Sequence, residues 1–230
     1  MPIKSTILKL FLIFIISALV FPPEAMAWDG QRKGFILGMS IGTGMTHVRT
    51  NLGHTSRNVT RGALALNCRI GYSTDNRTQI YYFQKMSIFR LPELGQAYED
   101  WFDTAGEESF KGILYMVITP LALPFIPIKA SHSMIGLALN YHLEEKAPSF
   151  FLGGGLGLTL IADPIEEDLL SDDANVVGGF GFIANAGYEF SPHYSVEFQF
   201  IFGTGSEGGF AGGGSRNAYT LLVTLNALGY

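Results

Sequence analysis

Residues 194–203 read YSVEFQFIFG and residues 35–42 read FILGMSIG; these two stretches decide the fold. In the first, Tyr194, Val196, Phe198, Phe200 and Phe202 alternate with Ser195, Glu197, Gln199, Ile201 and Gly203. In the second, Phe35, Leu37, Met39 and Ile41 alternate with Ile36, Gly38, Ser40 and Gly42. A period of two is a strand period, because successive side chains point to opposite faces of a sheet. One face is continuously apolar or aromatic, and the other is small or polar. A soluble sheet buries the first kind of face. A barrel whose outside meets lipid exposes it.

Working outward from these stretches, the same pattern recurs about eight times. It predicts strands at Gly34–Val48, Gly62–Tyr72, Thr78–Phe89, Ser133–Leu143, Phe150–Leu160, Gly179–Phe190, Tyr194–Phe202 and Ala218–Tyr230. In the third strand the favoured phase puts Ile80, Tyr82, Met86 and Ile88 outward, with Gln79, Lys85 and Ser87 inward. In the last, Leu228 and Tyr230 fall on the opposite parity to Tyr219, Leu221, Val223 and Leu225. That change predicts a bulge or a change of face near Asn226–Gly229. Connections alternate in length: Ser73–Arg77, Glu144–Ser149 and Ser191–His193 are short, whereas Arg49–Arg61, Arg90–His132, Ile161–Gly178 and Thr204–Asn217 are long. Short turns at one rim and long loops at the other are the habit of bacterial outer-membrane barrels. The fold expected is all-β, an eight-stranded antiparallel up-and-down transmembrane barrel.

The chain's start reads as an export signal. Lys4 and Lys9 flank the start of an apolar run from Leu8 to Phe21, and Ala25-Met26-Ala27 gives a small-residue cleavage site before Trp28. Residues 1–27 are therefore expected to be a signal peptide and 28–230 one barrel domain. No Cys follows the cleavage point, which argues against a lipoprotein anchor. The other long apolar stretch, Ile113–Ile128, is broken by Pro120, Pro124 and Pro127. A spanning helix needs about 20 apolar residues, so a helical inner-membrane protein is not the expectation. The chain carries a net charge of −5, and that balance gives no nucleic-acid partner. The single cysteine, Cys68, reads as a small hydrophobe in a strand.

The stretch Gly187–Gly203, GYEFSPHYSVEFQFIFG, resembles the penultimate hairpin of small OmpA-like and OmpW-like outer-membrane barrel proteins. The final aromatic, Tyr230, resembles the terminal residue of the sorting signal read by the outer-membrane assembly machinery. The resemblance implies an eight-stranded barrel in a Gram-negative outer membrane, with envelope lipid and lipopolysaccharide as its surroundings. It implies no particular activity, because such barrels serve as anchors, narrow pores, adhesins and lipid-modifying enzymes. A monomer without cofactors is expected.

The chemistry-bearing residues fall into separate groups. Asn67, Arg69, Lys85, Asn140, His142, Asn185, Glu189, Glu197 and Gln199 lie on the inward parity. Charges inside a small barrel must pair or be hydrated, so Arg69 and Lys85 are expected to answer Glu189 and Glu197. This network is either a packed core or the lining of a pore. His193, Ser195 and Glu197 invite comparison with lipid A deacylases of the PagL type, as does His132-Ser133 more weakly. The position of His193 at a short turn argues against that reading. Asp163, Glu166, Glu167, Asp168, Asp172 and Asp173 form an acidic external loop with oxygen ligands suited to Ca²⁺ or Mg²⁺, but their spacing matches no known cation loop. Gly203–Gly208 fits G-x-G-x-x-G, yet without a βαβ setting it opens a flexible loop and binds no dinucleotide. Between the third and fourth strands, Ala97–Phe110 reads as a short amphipathic helix and Gly112–Lys129 as an apolar, proline-broken loop. That loop either folds over the rim or acts as a lid on a path for an apolar ligand. The non-enzymatic readings lead: envelope structure, or limited passage of small or apolar solutes; the alternatives are a lipid A-modifying acyl hydrolase and a surface-binding or adhesion module working through the long external loops.

Overall fold

The computed structural model describes residues 32–52, 55–88, 131–162, 176–206 and 214–229. The export segment, the helix and apolar loop expected between the third and fourth strands, the acidic run Asp163–Asp173 and Tyr230 lie outside the described residues. Eight strands appear: β1 (Gly34–Leu52), β2 (Thr55–Ser73), β3 (Thr78–Ile88), β4 (Ser131–His142), β5 (Ser149–Ala162), β6 (Val176–Ser191), β7 (Tyr194–Ser206) and β8 (Ser215–Gly229). Each pairs antiparallel with its sequence neighbours, and β8 pairs with β1 to close the barrel.

The register sets the barrel's dimensions. A cross-strand row leaving β1 at His47 passes through Tyr219, Phe202, Phe182, Leu156, Leu137, Tyr82 and Ile70. It returns to β1 at Leu37, ten residues from where it left. Eight strands with that stagger tilt by about 40° and enclose a backbone radius of about 8 Å. Side chains fill such an interior.

The same tilt raises the chain by about 2.5 Å per residue, which ranks the outer wall by height. Phe35, Tyr72, Tyr141, Phe150, Tyr188 and Tyr194 fall within about 6 Å of one level near the short turns. Phe180, Phe202, Tyr219 and His47 form a second level about 25 Å above it, which is the thickness of an outer-membrane apolar band. Rings touch across strands at both levels, Phe150 on Tyr188 at 4.6 Å and Phe202 on Tyr219 at 5.1 Å between centroids. Between the levels the wall is apolar and bare: Leu156 is 72% exposed and Leu137 66%.

One part of the wall departs from this. Gln84, Met86 and Ile88 have the outward parity of β3, as Ile80 does, yet they are 1–2% exposed. Ser133, opposite Met86, and Ala162 at the end of β5 are also buried. The upper outer face of β3 is therefore covered, whereas Leu158 and Leu160 on β5 remain exposed.

Several expectations need correction. The connection Arg49–Arg61 is not a loop: β1 and β2 stay paired up to Leu52 and Thr55 and project as a hairpin. Its residues are polar, so a strand that continues into water carries no apolar alternation to reveal it. Gly203–Ser206 likewise belongs to β7. The expected bulge in the last strand is absent, since β8 keeps register with β1 to Gly229. Leu228 points inward and is buried against Ile36. The register shift sits instead between Glu189 and Ser191 at the tight β6–β7 turn, where His193 has φ of 73°.

Turn chemistry closes the other short connections. The Asp75 carboxylate accepts the backbone N–H of Arg77 and of Thr78, both at 2.7 Å. Those bonds hold its pKa below the usual carboxylate value.

Candidate functional site

The lumen is built in layers from the inward residues. At the short-turn mouth, Arg32 precedes β1 and folds across the opening, 1% exposed. Its Nε donates to Glu189 Oε2 at 2.6 Å. Its Nη1 donates to the carbonyls of Asn76, in the β2–β3 turn, at 2.9 Å and of Glu144, in the β4–β5 turn, at 2.6 Å. One guanidinium thus ties β6 to two turns. His142 stands 3.6 Å from the same Glu189 oxygen, its ring against Phe151.

The next layer carries the other charges. Arg69 Nη2 donates to Glu197 Oε2 at 2.7 Å and to Asn226 Oδ1 at 2.6 Å. Lys85 Nζ reaches Glu197 Oε1 at 3.5 Å. Two cations therefore share one carboxylate, and aromatic faces supplement it. Arg69 lies over the Tyr81 ring at 5.2 Å and Lys85 over Phe83 at 5.8 Å. Tyr81 Oη and Asn185 Nδ2 both donate to Asn140 Oδ1 at 2.9 Å. Asn67 donates to Ser40, and Gln199 to Thr224.

Beside and above the Arg69–Glu197 pair, Tyr81, Phe83, Met134, Ile183, Ile201 and Leu222 belong to one buried cluster. Toward the long-connection rim a hydroxyl layer follows. Thr46 bonds Ser87 and Thr220 at 2.8 Å each. His132 bonds Thr220 through Nδ1 at 2.8 Å and Thr159 through Nε2 at 3.0 Å. Interior glycines make room for these bulky groups. A Cβ at Gly187 would collide with the Phe151 ring, and one at Gly203 would lie 2.7 Å from His132 Nε2.

All nine residues expected to face the lumen are buried there. The expected pairing is corrected: Arg69 and Lys85 both serve Glu197, while Glu189 is held by Arg32. The stagger explains this. It puts Arg69, Glu197 and Asn226 at one level within about 2 Å and Glu189 about 8 Å lower. Arg32, Tyr81 and Asn226 escaped sequence reading. Arg32 precedes the alternating run, and nothing in its neighbours Gln31 and Lys33 sets it apart.

The residues that invite comparison with a hydrolase are held in other contacts within the described residues. His193, Ser195 and Glu197 share the inward face, but Glu197 is committed to two cations. Ser195 Oγ has no hydrogen-bond partner among the described residues. His132 faces the lumen, held by two threonines, while Ser133 lies on the opposite side of its strand. No group of three or more His, Cys, Asp or Glu suited to a metal occurs among the described residues. Clefts of ≈ 460 and ≈ 530 Å³ lie at the short-turn rim around Arg77 and Glu145.

The Arg32 bridge makes a first test. Lysine keeps the charge but not the fork that reaches a carboxylate and two carbonyls together. Arg32→Lys is expected to lower unfolding free energy by about 1–2 kcal/mol, read from the urea midpoint in detergent micelles. An unchanged midpoint would mean that the fork holds nothing.

No protein-family model matches the chain, and no curated protein matches it. Among solved structures it is similar to Neisserial surface protein A, with TM-score 0.44 and 12% identity over 85% of this chain and 97% of that one. It is similar to the Yersinia pestis attachment invasion locus protein, with TM-score 0.40 and 7% identity over 84% and 99%. It is also similar to the outer membrane protein OprG of Pseudomonas aeruginosa, with TM-score 0.38 and 9% identity over 87% and 98%.

Proposed function

We propose that this chain is a non-enzymatic barrel of the Gram-negative outer membrane, sealed along its axis, that serves the envelope through its outer wall and external rim. The observation that carries the reading is the pairing of a bare apolar wall, bounded by two aromatic levels, with an interior crossed by buried ion pairs and a buried apolar cluster. A water-soluble barrel would leave Leu137, Leu156 and Phe150 in water at a cost of roughly 25 cal/mol per Å². Lipid removes that cost. That interior favours envelope structure over passage of solutes, since a conducting path would have to displace the Arg69–Glu197–Lys85 group and the apolar cluster around Phe83.

The test is planar-bilayer recording on the refolded full chain, with lipid A mass spectrometry on cells with and without the gene. No resolvable conductance and unchanged acylation are expected. Steady ohmic steps would replace the sealed reading with a pore. Loss of an acyl chain only in cells carrying the gene would replace it with a hydrolase.

A further inference from the structure

We infer that the outer face of the β1–β2 hairpin base is a binding site for the phosphate groups of the outer-leaflet glycolipid, with Arg49 as its cation. The inference rests on the membrane reading above. Arg49 has the outward parity of Phe35, Met39 and Met45 and is exposed. It stands one outward position above His47, whose ring lies 6.2 Å from Tyr219 at the upper aromatic level and is pinned by Thr60 at 2.9 Å. The 40° tilt puts Arg49 about 5 Å above His47. Lipid phosphates gather at that level, just beyond the apolar band.

The neighbours of Arg49 are suited to an anion. Register puts Asn58 on one side and Asn217 on the other, with Thr204 beside Asn217. Amide and hydroxyl groups thus flank a guanidinium, whose planar fork matches phosphate oxygens bidentately. No ion pair of Arg49 with a described residue competes for it. The long-connection half shows Arg49, Arg57 and Arg61 exposed on the hairpin. Arg57 and Arg61 have the opposite parity to Arg49, facing the barrel axis rather than lipid. They carry the same charge without the same position.

The experiment uses the full chain refolded in micelles and challenged with an equimolar mixture of bisphosphorylated lipid A and the same lipid A dephosphorylated. Native mass spectrometry reads the ratio retained. The wild type is expected to hold the phosphorylated form about tenfold in preference, falling toward unity in Arg49→Ala and at high salt. Arg61→Ala keeps the preference. Lack of preference in the wild type, an unchanged ratio in Arg49→Ala, or an equal loss in Arg61→Ala overturns the inference. A separate arm tests the premise: insertion into phosphatidylcholine vesicles, followed by the mobility of unheated samples on gels. A chain that inserts but shows no phosphate preference removes this site alone. A chain that folds without inserting removes the membrane reading and the site with it.

Discussion

Glu197→Ala is expected to destabilise the barrel by about 3–5 kcal/mol, the cost of stranding a buried charge by deleting its partner. Here two cations are stranded, because Arg69 and Lys85 both rely on that carboxylate. Glu197→Gln separates charge from shape. It keeps the volume and an acceptor oxygen for Arg69 but leaves the lumen two positive charges with only Asn226 and two aromatic faces to answer them. Its loss should be close to that of the alanine variant. Adding Lys85→Met to Glu197→Gln removes one stranded cation and should recover about 1–2 kcal/mol. Urea unfolding in micelles, followed by far-ultraviolet circular dichroism and gel mobility, reads all three. Glu197→Gln within about 1 kcal/mol of wild type would mean that water or counterions already neutralise the layer.

That layer also marks how far the sequence could be read. Lipid imposes an apolar residue at every second position, so the outward set from Phe35 to Met45 and from Tyr194 to Phe202 was visible without coordinates. The inward set followed by parity, and all nine expected lumen residues are there. Which of them meet depends on the stagger between strands, and parity contains no information about stagger. Arg69 and Glu197 lie on β2 and β7, and only the ten-residue offset around the barrel brings them level. Arg32 was invisible for a related reason. It acts outside any alternating segment, through backbone carbonyls that any residue supplies. The projecting β1–β2 hairpin was missed because lipid no longer dictates its composition.

The outer wall offers the second large effect, and its dependence on depth separates a membrane barrel from a soluble one. Leu156 is 72% exposed and lies about midway between the two aromatic levels. Its cross-strand neighbours are Leu137 and Phe182, neither of which can pair with a cation's charge or accept its hydrogen bonds. In a bilayer, Leu156→Arg is expected to cost about 2–4 kcal/mol. The same substitution at Thr204, near the upper level, should cost about 0–1 kcal/mol. Unfolding midpoints in phosphatidylcholine vesicles measure both. If this wall met water, the order would vanish. An arginine replacing an exposed leucine far from any carboxylate would change stability by no more than about 0.5 kcal/mol, and position 156 would be as tolerant as position 204. A depth-dependent penalty cannot come from the barrel's interior, because both residues point away from it. It measures the surroundings of the wall, and equal, small effects at the two positions would remove lipid from those surroundings.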